Sequence, residues 1–379
     1  MQSPHAAIVF IAVGRWVDVV TLWFGPDRRA PSQEYPADSF VGGWRMASRP
    51  SLVQVAEQVG VSPATVSRAF NRPELLNAAT RERILSTAKR LGFRPNKVGR
   101  SLRSGSTRTL GLLLPTLANP VFAACFEGAE AAALDAGYSV MLATTGYDSE
   151  RERLAARSLL DHRVEGLILT VADPADSATL NELGSSGVPF VLAYNESDDH
   201  PCVSVDNHAA AGDMVSHLAA QGHRQLALIS GPLAASDRAA RRLTGAMARA
   251  ETLGLPAPIH VSMSRHTAAD RCRLKELLAA PQPPSALFCS NDLLAAAVIA
   301  ELATLGRRVP DDLSVCGFDG MDFGALMVPS LASVHQPSRE IGSHACRELL
   351  AALAGRPSHS QRLPHRLLDG GTVTAPVPP

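Results

Sequence analysis

The sequence predicts a small all-α helix-turn-helix head joined to an α/β body of two doubly wound parallel-sheet subdomains. Three observations lead to this fold class. Residues 51–70 show a helical apolar period that a glycine interrupts, apolar strands alternate with helices from Thr109 onward, and the charge is divided unevenly along the chain. With 379 residues, of which 46% are hydrophobic, the chain is long enough for two or three domains.

Residues 51–70 predict two short helices. In the first, Ser51 is a candidate N-cap and the apolar face is formed by Leu52, Val55, Ala56 and Val59. Gly60 ends this helix, and Ser62 and Pro63 are typical of the start of the next one. Two such helices joined by a short turn form a helix-turn-helix, whose second helix enters the DNA major groove. A short amphipathic helix pair can also be purely structural, so the pattern alone leaves that alternative open.

Charge favours the DNA-binding interpretation. A third helix is predicted from Asn77 to about Leu91, ended by Gly92 and Pro95. Residues 47–108 contain twelve Arg and Lys against three Glu, whereas residues 109–379 contain 20 basic and 29 acidic side chains. A basic head therefore indicates a polyanionic partner, and the acidic body is not expected to bind nucleic acid.

The segments on either side of the head are interpreted separately. Residues 1–46 are expected to be an N-terminal extension that is disordered or not native, since Met46 is a plausible natural start; residues 6–24 fit neither a membrane span nor a signal peptide. Residues 96–108 are expected to be a hinge. This basic segment is either a flexible linker or a short helix that forms only on DNA, with Leu102 as a minor-groove wedge.

From Thr109 onward, apolar strands alternate with helices. We predict strands at 110–114, 138–143, 166–170, 190–194, 225–229, 286–289 and 313–317, with a link near Val203, and helices at 121–135, 151–160, 208–220, 238–252 and 293–305. This alternation indicates parallel sheets covered on both faces, with a cleft at the carboxyl ends of the strands. The six cysteines lie apart without metal-ligand spacing, so we expect free thiols in a reducing compartment, no metal and no cofactor.

The chain resembles the LacI/GalR family of bacterial transcription regulators from about residue 50 to about residue 371. The motifs that carry the resemblance include VAEQVGVSPATVSRAFN, RPNKVGRSLRSGSTRTLG, LLLPTLANPVF, HRVEGLIL, VDNHAAAG, QGHRQLALISGP, RRLTGAM, CSNDLLAAAV, VCGFDGMDF and PSLASVHQP, in the family's order. The resemblance implies a periplasmic-binding-protein-like sensor at 109–371, divided near 205 with a crossover near 336, after a DNA-binding head at 47–95. It also implies a cytoplasmic homodimeric repressor that binds a palindromic operator in double-stranded DNA and responds to a sugar or sugar acid. Residues 372–379 are expected to be a disordered tail, and they contain no heptad that would favour a tetramer.

The resemblance also implies a set of DNA-contacting residues. Hydroxyl residues would contact phosphates, Pro63 and Ala64 would offer only van der Waals contact, and Arg68 would contact either a guanine or a phosphate. Gly99 stands where relatives commonly have alanine, so the hinge helix is expected to depend more on DNA. The complete set is Ser51, Ser62, Pro63, Ala64, Thr65, Ser67, Arg68, Asn71, Asn96 and Leu102.

Effector-binding residues follow from motif positions and from their places after predicted strands. Arg242 matches the effector-clamping arginine of relatives, and Asn291 and Asp319 each follow an apolar strand. Capping is the structural alternative for such polar residues, and Asp206 and Asp292 are expected to be caps. The complete effector set is Asn119, Phe122, Arg242, Asn291, Asp319, Gln336, Tyr194 and Arg238. The Tyr194–Asn195 pair replaces the Asp-Arg common in relatives, so the resemblance does not extend to a particular sugar.

Two other classes of function are weaker. A solute-binding protein for transport would have a similar body, but the basic head and the lack of an export signal argue against it. An enzyme would need a nucleophile–base pair or a metal motif, and no GxSxG, P-loop or HExxH sequence is present.

Overall fold

The computed structural model describes residues 8–13, 16–21, 50–93 and 106–376. The chain divides into two compact units, Met1–Pro95 and Asn96–Pro379. The predicted hinge residues Asn96 and Leu102 lie outside the described residues.

Part of the N-terminal extension forms regular structure. Strands β1 (Ile8–Val13) and β2 (Trp16–Thr21) pair antiparallel over their whole length. The β-branched and aromatic residues of these two stretches favour strands. The expectation that residues 1–46 are disordered or not native stays a prediction. The rest of that extension lies outside the described residues.

Three helices form the head: α1 (Leu52–Val59), α2 (Pro63–Asn71) and α3 (Ala78–Leu91). Each predicted N-cap is confirmed, because Ser51, Ser62 and Asn77 accept hydrogen bonds from Gln54, Thr65 and Thr80 backbone N–H groups. Gly60 and Gly92 end α1 and α3 at φ values of 73° and 69°, which glycine adopts without strain. The apolar faces of the three helices share one small core formed by Val55, Ala56, Val59, Val66, Ala69, Ile84 and Ala88.

The second unit contains two six-stranded sheets. The first has the order β13-β7-β6-β5-β3-β4 and is wholly parallel: β3 (Thr109–Leu114), β4 (Ser139–Thr144), β5 (Leu167–Leu169), β6 (Phe190–Ala193), β7 (Cys202–Val205) and β13 (Gln361–Leu363). The second has the order β14-β12-β11-β10-β8-β9, with only β14 antiparallel: β8 (Leu226–Ser230), β9 (Ile259–Ser262), β10 (Ala286–Cys289), β11 (Ser314–Asp319), β12 (Ala332–His335) and β14 (Arg366–Leu368).

Helices cover both faces of each sheet. On the first sheet, α4 (Pro120–Asp135) and α12 (Ser338–Leu353) cover one face, and α5 (Ser149–Asp161) and α6 (Ala178–Ser186) cover the other. On the second sheet, α7 (Asn207–Ala220) and α8 (Asp237–Thr252) lie opposite α9 (Arg271–Leu278) and α10 (Asp292–Thr304); α11 (Asp322–Leu326) follows β11. We call these two layered assemblies the first lobe and the second lobe.

The chain passes between the lobes three times. It leaves the first lobe after β7, returns after β12 to form α12 and β13, and enters the second lobe again at β14. The last helix of the chain therefore belongs to the first lobe, where it packs on α4. At this contact, a Cβ at Gly128 would lie 1.9 Å from the Arg339 carbonyl oxygen, and one at Gly342 would lie 1.9 Å from that of Cys125.

The predicted strands and helices are confirmed, with shifts at their ends. Two other predictions are wrong. The stretch near Val203 is the buried strand β7 rather than a link, because it pairs with both β6 and β13. The tail is ordered at its start: Thr372 is fully buried and its hydroxyl accepts from Ala332 N, while Thr374 N donates to Ser314 Oγ. These bonds fix residues that sequence composition alone suggests are mobile. Residues 377–379 lie outside the described part.

Candidate functional site

A polar cavity lies between the two lobes, at the carboxyl ends of their parallel strands. Its volume is about 30 Å³ in this structure, well below the roughly 300–1,000 Å³ of a ligand-filled pocket, so a ligand requires the lobes or side chains to move apart. All of the predicted effector residues line it. The lining residues are Asn119, Val121, Phe122, Tyr147, Tyr194, Ser236, Arg238, Ala239, Arg242, His266, Ser290, Asn291, Asp319 and Gln336.

Asp319 lies at the centre of the hydrogen bonding in this cavity. It ends β11 at a φ of 118°, an unusual backbone conformation for a residue other than glycine. Its Oδ2 accepts from Asn119 Nδ2 at 3.1 Å, and its Oδ1 accepts from Gln336 Nε2 at 2.7 Å. Burial raises the pKa of the Asp319 carboxyl, and nearby Arg242 acts against that rise. Asn119 belongs to the first lobe, so Asp319 joins the two walls directly.

Arg242 reaches the cavity from α8 and is held on several sides. Its Nε donates to Asn207 Oδ1 at 2.9 Å, its Nη1 donates to the Ser290 carbonyl, and its guanidinium carbon lies 3.4 Å from the centre of the Phe318 ring. Asp319 Oδ1 is 3.9 Å from Nη1. Burial lowers the pKa of Arg242 to about 10, so it stays charged at neutral pH.

Arg238, one helical turn earlier, contacts the first lobe. Its Nη1 donates to the Val171 carbonyl and to Asp237 Oδ1, each at 3.0 Å. Asp237 Oδ1 also accepts from Asn195 Nδ2 at 2.6 Å, and Asp237 N donates to the Ala172 carbonyl at 2.8 Å. Asn195 and residues 171–172 belong to the first lobe, so these bonds close one side of the cleft.

Helix capping positions two of the cavity asparagines. Asn119 Oδ1 accepts from Val121 N at the start of α4, and Asn291 Oδ1 accepts from Leu294 N at the start of α10. The expected cap Asp206 is confirmed, because it accepts from Ala209 N. The expected cap Asp292 is wrong. Its oxygens accept instead from Met321 N at 2.7 Å and from Ser333 Oγ at 2.6 Å, since Asn291 already occupies the capping position.

Aromatic residues complete the wall. Tyr194 donates from its hydroxyl to the Val121 carbonyl at 2.8 Å, and its ring meets Phe122 edge to face. Tyr147 and His266 also line the cavity, and the sequence reasoning missed both. Tyr147 follows β4, so the carboxyl-end rule that selected Asn291 and Asp319 would have found it. His266 lies in an irregular stretch after β9 that offers no such signal.

The head presents the predicted DNA-contacting residues along α1 and α2. Ser51, Ser62, Pro63, Ala64, Arg68 and Asn71 are exposed, whereas Thr65 and Ser67 are partly buried. Ser62 Oγ lies 2.9 Å from Thr65 Oγ1, and Asn71 Nδ2 donates to the Ser67 carbonyl at 2.9 Å. The first turn of α2 therefore offers short side chains, and Arg68 extends from its next turn.

Two features are absent from the part of the chain that the structure describes. None of its helices is long and apolar enough to cross a membrane. None of its His, Cys, Asp and Glu side chains forms a group that could hold a metal ion.

Comparisons with known proteins agree with this architecture. Residues 51–96 match the family described as bacterial regulatory proteins, lacI family, and residues 215–373 match a periplasmic binding protein-like domain. The chain is 33% identical over 333 residues to the HTH-type transcriptional regulator GntR of Escherichia coli K12, covering 86% of this chain and 98% of that protein. It is 30% identical to the HTH-type transcriptional repressor CytR of the same strain, covering 81% and 90%.

Solved structures show the same relationship. The lac repressor dimer bound to operator and the anti-inducer ONPF superposes with a TM-score of 0.78 at 28% identity, covering 86% of this chain and 99% of that one. The transcription regulator GntR from Chromobacterium violaceum superposes with a TM-score of 0.64 at 29% identity, covering 70% and 98%. The chain matches the family's head and a binding-protein domain, and it aligns with its relatives over nearly their full length. It therefore belongs to the lacI family of bacterial regulatory proteins.

Proposed function

We propose that this protein is a sequence-specific DNA-binding transcriptional repressor whose operator affinity is controlled by a small polar metabolite in the interlobe cavity. The observation that carries the proposal is the combination, in one chain, of an exposed helix-turn-helix and a buried polar cavity between two lobes. The metabolite is a sugar, a sugar acid or a similar polyol, because the amide, carboxylate and guanidinium groups of the cavity match hydroxyl-rich ligands.

The second helix of the head reads the operator. Pro63 and Ala64 carry no side chain that can hydrogen-bond to a base, so Arg68 is the best placed residue for a guanine contact. The hydroxyls of Ser62, Thr65 and Ser67 position the helix on phosphates. Leu102 in the hinge acts as a wedge at the centre of a palindrome, where two heads of a homodimer meet, and DNA shape supplies further specificity.

The cavity controls the heads through the angle between the lobes. Direct hydrogen bonds, such as that from Asn119 to Asp319, join the lobes. A ligand that changes these bonds changes the spacing of the paired hinges in the dimer, with a coupling free energy of about 1–3 kcal/mol between ligand and operator. A DNA partner places this action in the cytoplasm.

An enzyme and a transport protein remain the alternatives, and both have less support. The relatives named above are transcriptional regulators rather than enzymes. A transport role would leave the exposed second helix of the head without a purpose.

The test is selection of genomic DNA fragments by the full-length protein, followed by affinity measurements with and without candidate sugars and sugar acids. We expect a palindromic site, a steep fall in affinity with salt, and a shift in affinity with one ligand class. Arg68→Ala should weaken binding to this site, whereas Arg307→Ala, which makes the same change in the sensor, should not. Failure to select any specific sequence under any ligand condition would refute the proposal.

A further inference from the structure

One wall of the cavity contains hydrogen-bond donors that the protein itself does not use. Arg238 is 5% exposed, and its Nη1 makes both of its hydrogen bonds; its Nε and Nη2 donate to no described residue. Nη2 of Arg242 likewise has no acceptor among the described residues. Both side chains line the cavity, so these edges, which have no acceptor among the described residues, are suited to the oxygen atoms of a ligand.

His266 adds a buried nitrogen to the same wall. The residue is 8% exposed, and its Nε2 is fully buried with no partner among the described residues. Its position is well fixed: the ring stacks on Tyr147 and lies against Gly231, where a Cβ would come within 2.5 Å of Nδ1. Burial and Arg238 lower the pKa of His266 to about 4, so at neutral pH the ring is uncharged and its Nε2 can carry a single donor proton.

The charged groups at this wall differ in how much of their hydrogen-bonding capacity the protein itself uses. Among the described residues that line the cavity, the charged side chains are Arg238, Arg242 and Asp319. Both oxygens of Asp319 already accept amide hydrogen bonds. Asp237 is not a lining residue, but its Oδ1 pairs with Arg238 at 3.0 Å and its Oδ2 is buried without a hydrogen-bond partner among the described residues. The two arginines and the two aspartates therefore balance in charge, and the lining surface offers unused donors of the guanidinium groups and of His266 to the oxygen atoms of a ligand.

We propose that Arg238 and His266 form a subsite for an anionic group of the effector, a carboxylate or a phosphate. The rest of the ligand, with its hydroxyls, lies against Asn119, Asp319 and Gln336. This inference rests on the proposed function, since it assigns the chemical class of ligand for that same cavity. It makes the effector an acidic sugar derivative rather than a neutral sugar.

The test uses the purified full-length protein and a panel of hexonates, hexuronates and hexose 6-phosphates, each beside its neutral parent hexose. Calorimetry and thermal shift measure binding, and operator affinity is measured in parallel. We expect at least one anion to bind about tenfold or more tightly than its parent. The carboxylate and phosphate arms of the panel decide which anion the subsite accepts.

Two variants test whether Arg238 and His266 cause the tighter binding of the anion, and a third variant is the matched control. Arg238→Gln removes the charge, and His266→Phe keeps an aromatic ring on Tyr147 but removes the nitrogen. Each should weaken binding of the anion about tenfold and leave the weaker binding of the neutral parent nearly unchanged. Arg241→Gln changes a neighbouring arginine on α8 that does not line the cavity, and it should bind the anion like the wild type.

Several outcomes would overturn the proposal: a neutral parent that binds as tightly as its acid, a panel in which no anion binds, or variants that lose both ligands equally. The comparison of acid with parent uses the wild-type protein, so it stands even if a variant fails to fold. A neutral sugar that shifts operator affinity would refute the anionic subsite but leave the proposed function intact. Loss of all specific DNA binding would instead count against the proposed function.

Discussion

The rings of Tyr147 and His266 stack across the cleft, with their centroids 4.0 Å apart and their planes 23° from parallel. Tyr147 follows β4 in the first lobe, and His266 follows β9 in the second. The pair is therefore a direct contact between the lobes at the cavity, in addition to the hydrogen bonds of Asp319 and Asp237.

This stacking contact should have a measurable free energy. In a double-mutant cycle with Tyr147→Ala and His266→Ala, we expect a coupling of about 0.5–1.5 kcal/mol in the free energy of unfolding, the range for aromatic pairs. Urea denaturation of the four proteins without ligand provides the measurement. If the effects of the two substitutions on the free energy of unfolding are additive, the two rings do not contact each other in solution.

Arg242 should contribute far more to stability than its neighbour Arg241. Arg242→Gln leaves the buried Asp319 carboxylate without its cation and should lower the free energy of unfolding by about 3 kcal/mol. Arg241 is partly exposed and its ion pairs are 3.9 Å and 4.0 Å long, so Arg241→Gln should cost less than about 1 kcal/mol. Equal losses in chemical denaturation would contradict the buried role of Arg242.

The glycines between α4 and α12 should resist substitution. Gly128→Ala or Gly342→Ala puts a methyl group into a backbone carbonyl of the facing helix and should lower stability by about 1–3 kcal/mol. Gly184→Ala is the control, because this glycine lies in α6 with nothing within 4 Å of the added carbon. It should raise stability by about 0.5–1 kcal/mol through helix propensity alone. Thermal denaturation distinguishes the two signs.

Substitutions at Ser62 can separate its capping role from a phosphate contact. Ser62→Ala removes the acceptor for Thr65 N and should destabilise the head by about 1 kcal/mol, seen as faster hydrogen exchange in residues 50–93. Ser62→Asp keeps an acceptor there but adds a negative charge, so the head should stay folded while DNA affinity falls. Asn77→Ala, which removes the cap of α3, controls for stability alone. Unchanged DNA affinity in Ser62→Asp would exclude a phosphate at this position.

His223 should make the second lobe sensitive to acid. It is 1% exposed, with Nδ1 2.8 Å from Ser285 Oγ and Nε2 2.9 Å from the Thr374 carbonyl oxygen, and burial lowers its pKa below the ordinary 6.5. As the pH falls below 6.5, the unfolded chain binds the proton before the folded chain does. The contribution of His223 is therefore complete above pH 6.5 and is lost as the pH falls towards the folded-state pKa.

The variant His223→Gln tests this pH dependence. It should be less stable at neutral pH, because it loses the imidazole hydrogen bonds, but its free energy of unfolding should fall less steeply as the pH decreases below 6.5. Urea titrations at a series of pH values measure both slopes, and the difference between them isolates His223 from other titrating groups. Parallel slopes would show that this histidine does not titrate differently on folding.

Local sequence signals predicted most of the fold. The caps Ser51, Ser62 and Asn77 depend on a few adjacent residues, and the apolar strands alternate with helices strongly enough to predict two parallel sheets. The cavity residues were predictable for a related reason. Asn291 and Asp319 follow buried strands, and the carboxyl ends of parallel strands meet at one edge of a sheet.

Features that depend on long-range contacts were not predictable in this way. Asn291 rather than Asp292 caps α10, because Asp292 accepts hydrogen bonds from Met321 and Ser333. These two residues approach Asp292 only after β11 and β12 have formed. His266 reaches the cavity from an irregular stretch, and neither periodicity nor a motif marks it. The ordered start of the tail likewise depends on distant partners, Ala332 and Ser314.

The placement of α12 and β13 in the first lobe has a consequence for how the protein is made. A ribosome delivers the head first, then the strands β3 to β7, but the helix that covers one face of their sheet and the strand that closes its edge emerge almost last. Domains generally fold as units during synthesis. The head can therefore fold on the ribosome early, whereas the first lobe of its sensor cannot be completed until nearly the whole chain has been translated.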